Sequence, residues 1–124
     1  MGLKRTFQKA AQKAFTVFKD AVFEGTYYSI RNTGFAEDDT PPYPVSVIID
    51  SFSEKDASRL PFGDLIQPQD AKGLIQGIDI TTKVNSQSDK VSILEKDGST
   101  SIYTVVAYTL DALGVLFILL LRKT

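Results

Sequence analysis

A chain of 124 residues with 43% apolar and 23% charged side chains has the makeup of one globular domain with a single modest core. It contains no His and no Cys, which excludes disulfides, thiolate chemistry, His-dependent triads and ordinary zinc sites. The formal charge of −1 hides an asymmetry: residues 1–23 hold five basic side chains against Asp20, a net of +4, whereas residues 24–124 hold nine basic against fourteen acidic ones. A basic first element therefore precedes an acidic body, which is not the pattern of a uniformly basic nucleic-acid binder.

The first element predicts one amphipathic helix from Leu3 to Phe23. Leu3, Phe7, Ala10, Ala14, Phe18 and Ala21 follow steps of three and four residues, with Ala11, Phe15 and Val22 beside that stripe. Arg5, Lys9 and Lys13 fall at i, i+4 and i+8 on another side, and Gly25 is a natural stop. Those three cations make the helix a candidate partner-docking element. The plainer reading packs it on its own sheet with the basic face in water.

From Gly25 the period changes. The stretches "TYYSIR" (26–31) and "YPVSVIIDSF" (43–52) are rich in β-branched and aromatic residues and predict strands. Between them, Gly34, the acidic triplet Glu37, Asp38 and Asp39, and Pro41-Pro42 predict a long surface loop over 32–42. The triplet lacks the alternating spacing of a calcium loop, so no metal is expected there. Ser53 and Asp56 stand at capping-box spacing and predict a turn or two of helix ending before Pro61. Short strands are expected at 64–67 and 71–76, then a polar connection "TTKVNSQSD". A hairpin follows, Val91 to Glu95 and Ile102 to Leu110, about a turn at Lys96-Asp97-Gly98.

The chain ends on ten residues without a polar side chain, Ala112 to Leu121, closed by Arg122 and Lys123. As a helix this run would cover about 15 Å of a hydrocarbon core about 30 Å thick, and any longer span takes in Asp111. It predicts instead a final strand over 115–122, covered on both faces because it has no polar alternation. The N-terminal helix or a neighbouring subunit is the expected outer cover. A peripheral or tail-anchored membrane protein is the alternative that this run and the basic helix leave open.

No motif carries catalytic chemistry. "GLIQG" (73–77) is neither a Walker loop nor a dinucleotide fingerprint, and Asp50, Asp56 and Asp64 are not spaced as an acid–base pair. The expected architecture is mainly β: a small antiparallel β-barrel or sandwich of six or seven strands with one long N-terminal amphipathic α-helix. It forms a single domain, 1–124, comprising the helix 1–23 and a barrel-like body 24–124 with the loop 32–42.

Taken in order, "MGLKRTFQKAAQKAF", "PVSVIIDSF", "FGDLIQPQDAKGLI", "DKVSILEKDGSTSIYTVVAYTLD" and "LFILLLR" resemble the small head-completion proteins of tailed bacteriophages. These are the head-closure, or stopper, and head–tail joining proteins of the neck. The likeness runs over roughly 43–122 and rests on the strand entering "AKGLI", the hairpin and the apolar strand ending in Arg122. It implies a non-enzymatic structural protein of the virion, without cofactor or metal, assembled in the host bacterial cytoplasm. Its partners would be itself, as a hexameric or dodecameric ring, with the portal or adaptor ring on one side and tail proteins on the other. Such a ring closes the DNA-filled head and docks the tail, while packaged DNA passes without sequence-specific binding and no membrane is involved. The loop then becomes a candidate channel or subunit-interface element, with Phe35, Glu37, Asp38 and Asp39. An acidic loop suits a channel in which DNA must slide, because like charges do not trap phosphates. Other connector rings, the adaptor and the tail terminator, fit the same order of features.

Overall fold

In the computed structural model, which describes residues 22–30, 41–111 and 114–124, six strands close into a barrel in the order β1-β2-β3-β6-β5-β4. They are β1 (Val22–Tyr28), β2 (Tyr43–Ser51), β3 (Ala71–Gln76), β4 (Lys90–Leu94), β5 (Thr100–Leu110) and β6 (Leu116–Lys123). Every pairing is antiparallel. Closure pairs both sides of each strand and removes the exposed edge that an open sheet carries.

Alternation decides which side chains fill the interior. Val45 and Val47 point inward from β2, Val91 and Ile93 from β4, and Leu119 and Leu121 from β6. Tyr27, Ile75, Val105 and Val84 complete the buried core. At Gly73, opposite Leu119, a Cβ would come within 2.6 Å of Leu121 Cδ1, so the missing side chain makes the seat for that leucine. The β4–β5 turn closes with a bond from Gly98 N to Glu95 O of 3.0 Å, and Gly98 takes the left-handed φ of 89°.

The outer face of β6 is also buried. Leu120 is 0% exposed and packs with Phe62 and Val106, flanked by Phe52, Leu60, Ile66, Ala107 and Ile118. A bulge in β5, where the register shifts between Val105 and Ala107, turns both Val106 and Ala107 outward onto this cluster. The cover is the excursion between β2 and β3, containing α1 (Glu54–Arg59). Ser53 Oγ accepts from Asp56 N at 3.1 Å and the Asp56 carboxylate accepts from Ser53 N at 2.9 Å, completing the expected capping box. Covering one leucine in this way contributes about 1.5–3 kcal/mol. This excursion supplies a cover for the outer face of the last strand.

Two expectations are corrected. The helix expected over Leu3–Phe23 does not reach its predicted end, because Val22 and Phe23 are the first residues of β1, paired with Ile48 and Val47. Phe23 packs against the barrel core, so sheet pairing and burial override the continuing helical period there. The remainder of that prediction lies outside the described residues. Among the described residues there is no long amphipathic helix; α1 has six residues, and Gly63–Leu65 and Gly77–Asp79 are single 3₁₀ turns. The strand expected at 64–67 is replaced by the first of these turns. Among the described residues no helix is long and apolar enough to cross a membrane, and the apolar run from Leu116 onward is β6.

Candidate functional site

The candidate site is the barrel end where β1 ends at Tyr28 and β2 begins at Tyr43, which makes it the root of the connection 29–42. The connection between β3 and β4 lies at the same end, because successive neighbours around the barrel are antiparallel. The first residues of β1, the β4–β5 turn and the end of β6 lie at the opposite one.

Asp89, just before β4, holds this root together and is 0% exposed. Its Oδ2 accepts from the Tyr27 hydroxyl at 2.5 Å and from Asn85 N at 2.8 Å. Its Oδ1 accepts from Ile30 N at 2.9 Å and, more weakly, from Asn85 Nδ2 at 3.4 Å. Burial, and then the bond to Asp89, push the Tyr27 hydroxyl far above its ordinary range, so it stays a donor. The Tyr27 ring stacks on Tyr43 with centroids 5.4 Å apart, and Tyr43 Oη lies 2.8 Å from Thr82 Oγ1. Asp89 O also accepts from Val105 N at 2.9 Å, tying the cluster to β5.

Chemically, this cluster is suited to positioning: among the described residues both carboxyl oxygens have donors, and the side chain is closed to water. Its effect is to pin Ile30 and Tyr43, the two roots of the long connection, to one rigid end of the barrel.

A second carboxylate sits at the opposite end. Asp70 receives Arg122 in a two-pronged pair, Nε to Oδ1 and Nη2 to Oδ2, both 2.9 Å. Gln67 N also donates to Asp70 Oδ2 at 2.8 Å, and Arg122 Nη2 donates to Leu65 O at 3.1 Å. The Arg122 guanidinium, opposed by burial and helped by Gln67 N, holds the Asp70 carboxyl below the usual carboxylate range.

The residues singled out from sequence for the channel or interface loop, Phe35, Glu37, Asp38 and Asp39, lie outside the described residues. Arg5, Lys9 and Lys13 of the expected docking helix do so too. Asp50, Asp56 and Asp64 each have a local place. Asp50 caps Ser51 N, Asp56 serves the capping box and bonds Lys72 Nζ at 2.9 Å, and Asp64 lies in the 3₁₀ turn. Among the described residues no group of three or more acidic, His or Cys side chains is placed to hold a metal.

Sequence reasoning missed Asp89 because it ends a polar tract that reads as an ordinary connection. The available signal was local: Asn85 and Asp89 stand four apart, immediately before the alternation of "KVSIL". The Asp70–Arg122 pair joins residues 52 positions apart and has no local signal. No family model matches the chain, and no curated protein or solved structure does either.

Proposed function

We propose that this chain is a structural protein of the phage neck. It forms a ring between the portal or adaptor and the tail that closes the DNA-filled head and gives the tail a surface to dock on. The observation that carries the reading is the rooting of connection 29–42 on the buried Asp89 cluster at one end of a closed barrel. A loop that projects into a ring channel needs such a fixed base, and its acidic triplet would repel the DNA phosphates. The order of sequence features adds to this.

A closed barrel offers no free strand edge, so contacts between copies would use loops and exposed apolar side chains. Ile78, Tyr108 and Leu110 are of that kind. Adaptor and tail-terminator rings share this outline and differ in the ring they occupy. The test is mass spectrometry of gradient-purified particles, with the copies per particle counted and the ring located by electron microscopy. A fixed, low, ring-like copy number is the expected result, and particles that lack the chain would overturn the reading. Replacing Glu37, Asp38 and Asp39 together with Ala is expected to reduce DNA retention in filled heads; undiminished retention would remove the loop from the mechanism.

A further inference from the structure

The excursion between β2 and β3, residues 52–70, is held to the barrel differently from any strand. The β2–β3 ladder stops at Ser51 and Ala71. Among the described residues, the backbone–backbone hydrogen bonds of the excursion all close within it, from Ala57 N to Ser53 O at one end to Asp70 N to Gln67 O at the other. Lifting it would break no rung of the sheet. The apolar cluster it covers, Phe62, Val106 and Leu120, is separate from the core inside the barrel. Its departure would therefore uncover Leu120 and Val106 and leave the interior packed. The other ties are charged, and they run one way, from carboxylates on the excursion to cations on the barrel. Asp56 pairs with Lys72 of β3 at 2.9 Å, and Asp70 takes both prongs of Arg122 of β6, whose Nη2 also reaches Leu65 O. Among the described residues these two fastenings are the only ion pairs.

The other charges around them are Glu54, Lys55, Arg59 and Asp64 on the excursion itself, Asp50 of β2 opposite Lys72, and Lys90, which reaches Thr104 opposite Arg122. We propose that residues 52–70 form an acid-released strap. Protonation of Asp56 and Asp70 discharges both fastenings, and the strap lifts to uncover the apolar outer face of β5 and β6 while the barrel stays closed. Both carboxyls lie below the usual carboxylate range in the folded chain, Asp56 through Ser53 N and then Lys72, Asp70 through Arg122. The fastening is thus complete above the unfolded value of about 4 and is lost as pH falls through the folded values. Protonating Asp56 also weakens the capping box that orders α1. The device is independent of whether the chain forms a ring in a phage neck.

The test is hydrogen exchange, read amide by amide on the full chain from about pH 7 to about pH 3, with each rate divided by the intrinsic rate at that pH. Off the barrel, a helix of six residues is too short to persist, so its amides exchange. Protection at Ala57, Leu60, Leu65 and Asp70 is expected to fall about tenfold over that range, while Ile93 and Leu119 inside the barrel stay within about twofold. Asp56→Asn/Asp70→Asn should show the released level already at pH 7 and lose the pH dependence. Lys72→Gln, which touches only the part-exposed pair, should show part of the same effect and serves where the double variant does not fold. Strap protection unchanged down to pH 3 overturns the proposal, because the apolar cluster alone would then hold the segment. Parallel loss at Ile93 and Leu119 overturns it too, since the whole barrel would be unfolding. A pH dependence that survives in both variants would take the release away from Asp56 and Asp70.

Discussion

Asp89, at the end where the connection 29–42 leaves the barrel, is surrounded by neutral donors, whereas Asp70, at the opposite end, faces a guanidinium. The donors to Asp89 come from β1, from the residue that follows it by two, and from the start of its own turn. Two of them are 62 and 59 positions away, so they meet only once the barrel is closed. Asp70 is sealed too, but its partner Arg122 is 36% exposed and its field is open to solvent and salt. The first carboxyl is held by geometry and the second by charge. Their loss should therefore differ in size and in what it responds to.

The largest effect is expected at Asp89. Asp89→Ala leaves a buried hydroxyl, two backbone N–H groups and an amide without their acceptor. Stability measured by urea unfolding should fall by about 3–5 kcal/mol. A loss under about 1 kcal/mol would mean that water replaces the carboxyl, and the contrast with Asp70 would fail. Tyr27→Phe comes next: it keeps the stack on Tyr43 and removes one donor, so the expected loss is about 1–2 kcal/mol by the same measurement. It should be much the same at 50 mM and 500 mM salt, since the change breaks no ion pair and the Tyr27–Asp89 bond is buried.

Asp70 should respond to pH. Its carboxyl is depressed in the folded chain, which therefore takes up that proton less readily than the unfolded chain does. The stabilisation is complete above the unfolded value of about 4 and is lost as pH falls through the folded value. Arg122→Gln should accordingly be less stable than the parent at pH 7, with the deficit shrinking toward pH 2. Unfolding curves across that range provide the check. A deficit independent of pH would show that Arg122 acts through packing and through Leu65 O alone.

Much of the barrel was legible because its strands obey local rules. The β-branched and aromatic run of "YPVSVIIDSF", the turn at Gly98 and the Ser53–Asp56 box each declare themselves within a few residues. The start of β1 did not, because Val22 and Phe23 satisfy a helical stripe and a strand equally well. Pairing with Ile48 and Val47 from a distant strand settles it. The last strand shows the limit most plainly. Its unbroken apolar run required a cover on both faces, but nothing in that run said that the cover would be the excursion after β2. The candidate site was hidden for a related reason: Asp89 acquires its meaning from Tyr27 and Ile30, which the sequence keeps about sixty residues away.

The smallest effect expected tests whether the two ends are separate at all. Ser53→Ala removes the side chain that caps α1 and should cost about 1 kcal/mol. The excursion over Leu120 is held by Phe52, Leu60, Phe62 and Ile66, and by the Asp56–Lys72 and Asp70–Arg122 pairs. If it opens as a local unit, hydrogen exchange should rise about fivefold at amides 54–60 and stay unchanged at Ile30 and Asn85. Equal acceleration at both places would instead mean that cap, cover and Asp89 cluster unfold together. The barrel would then be a single cooperative unit, and charge at one end and geometry at the other would be two supports of one transition.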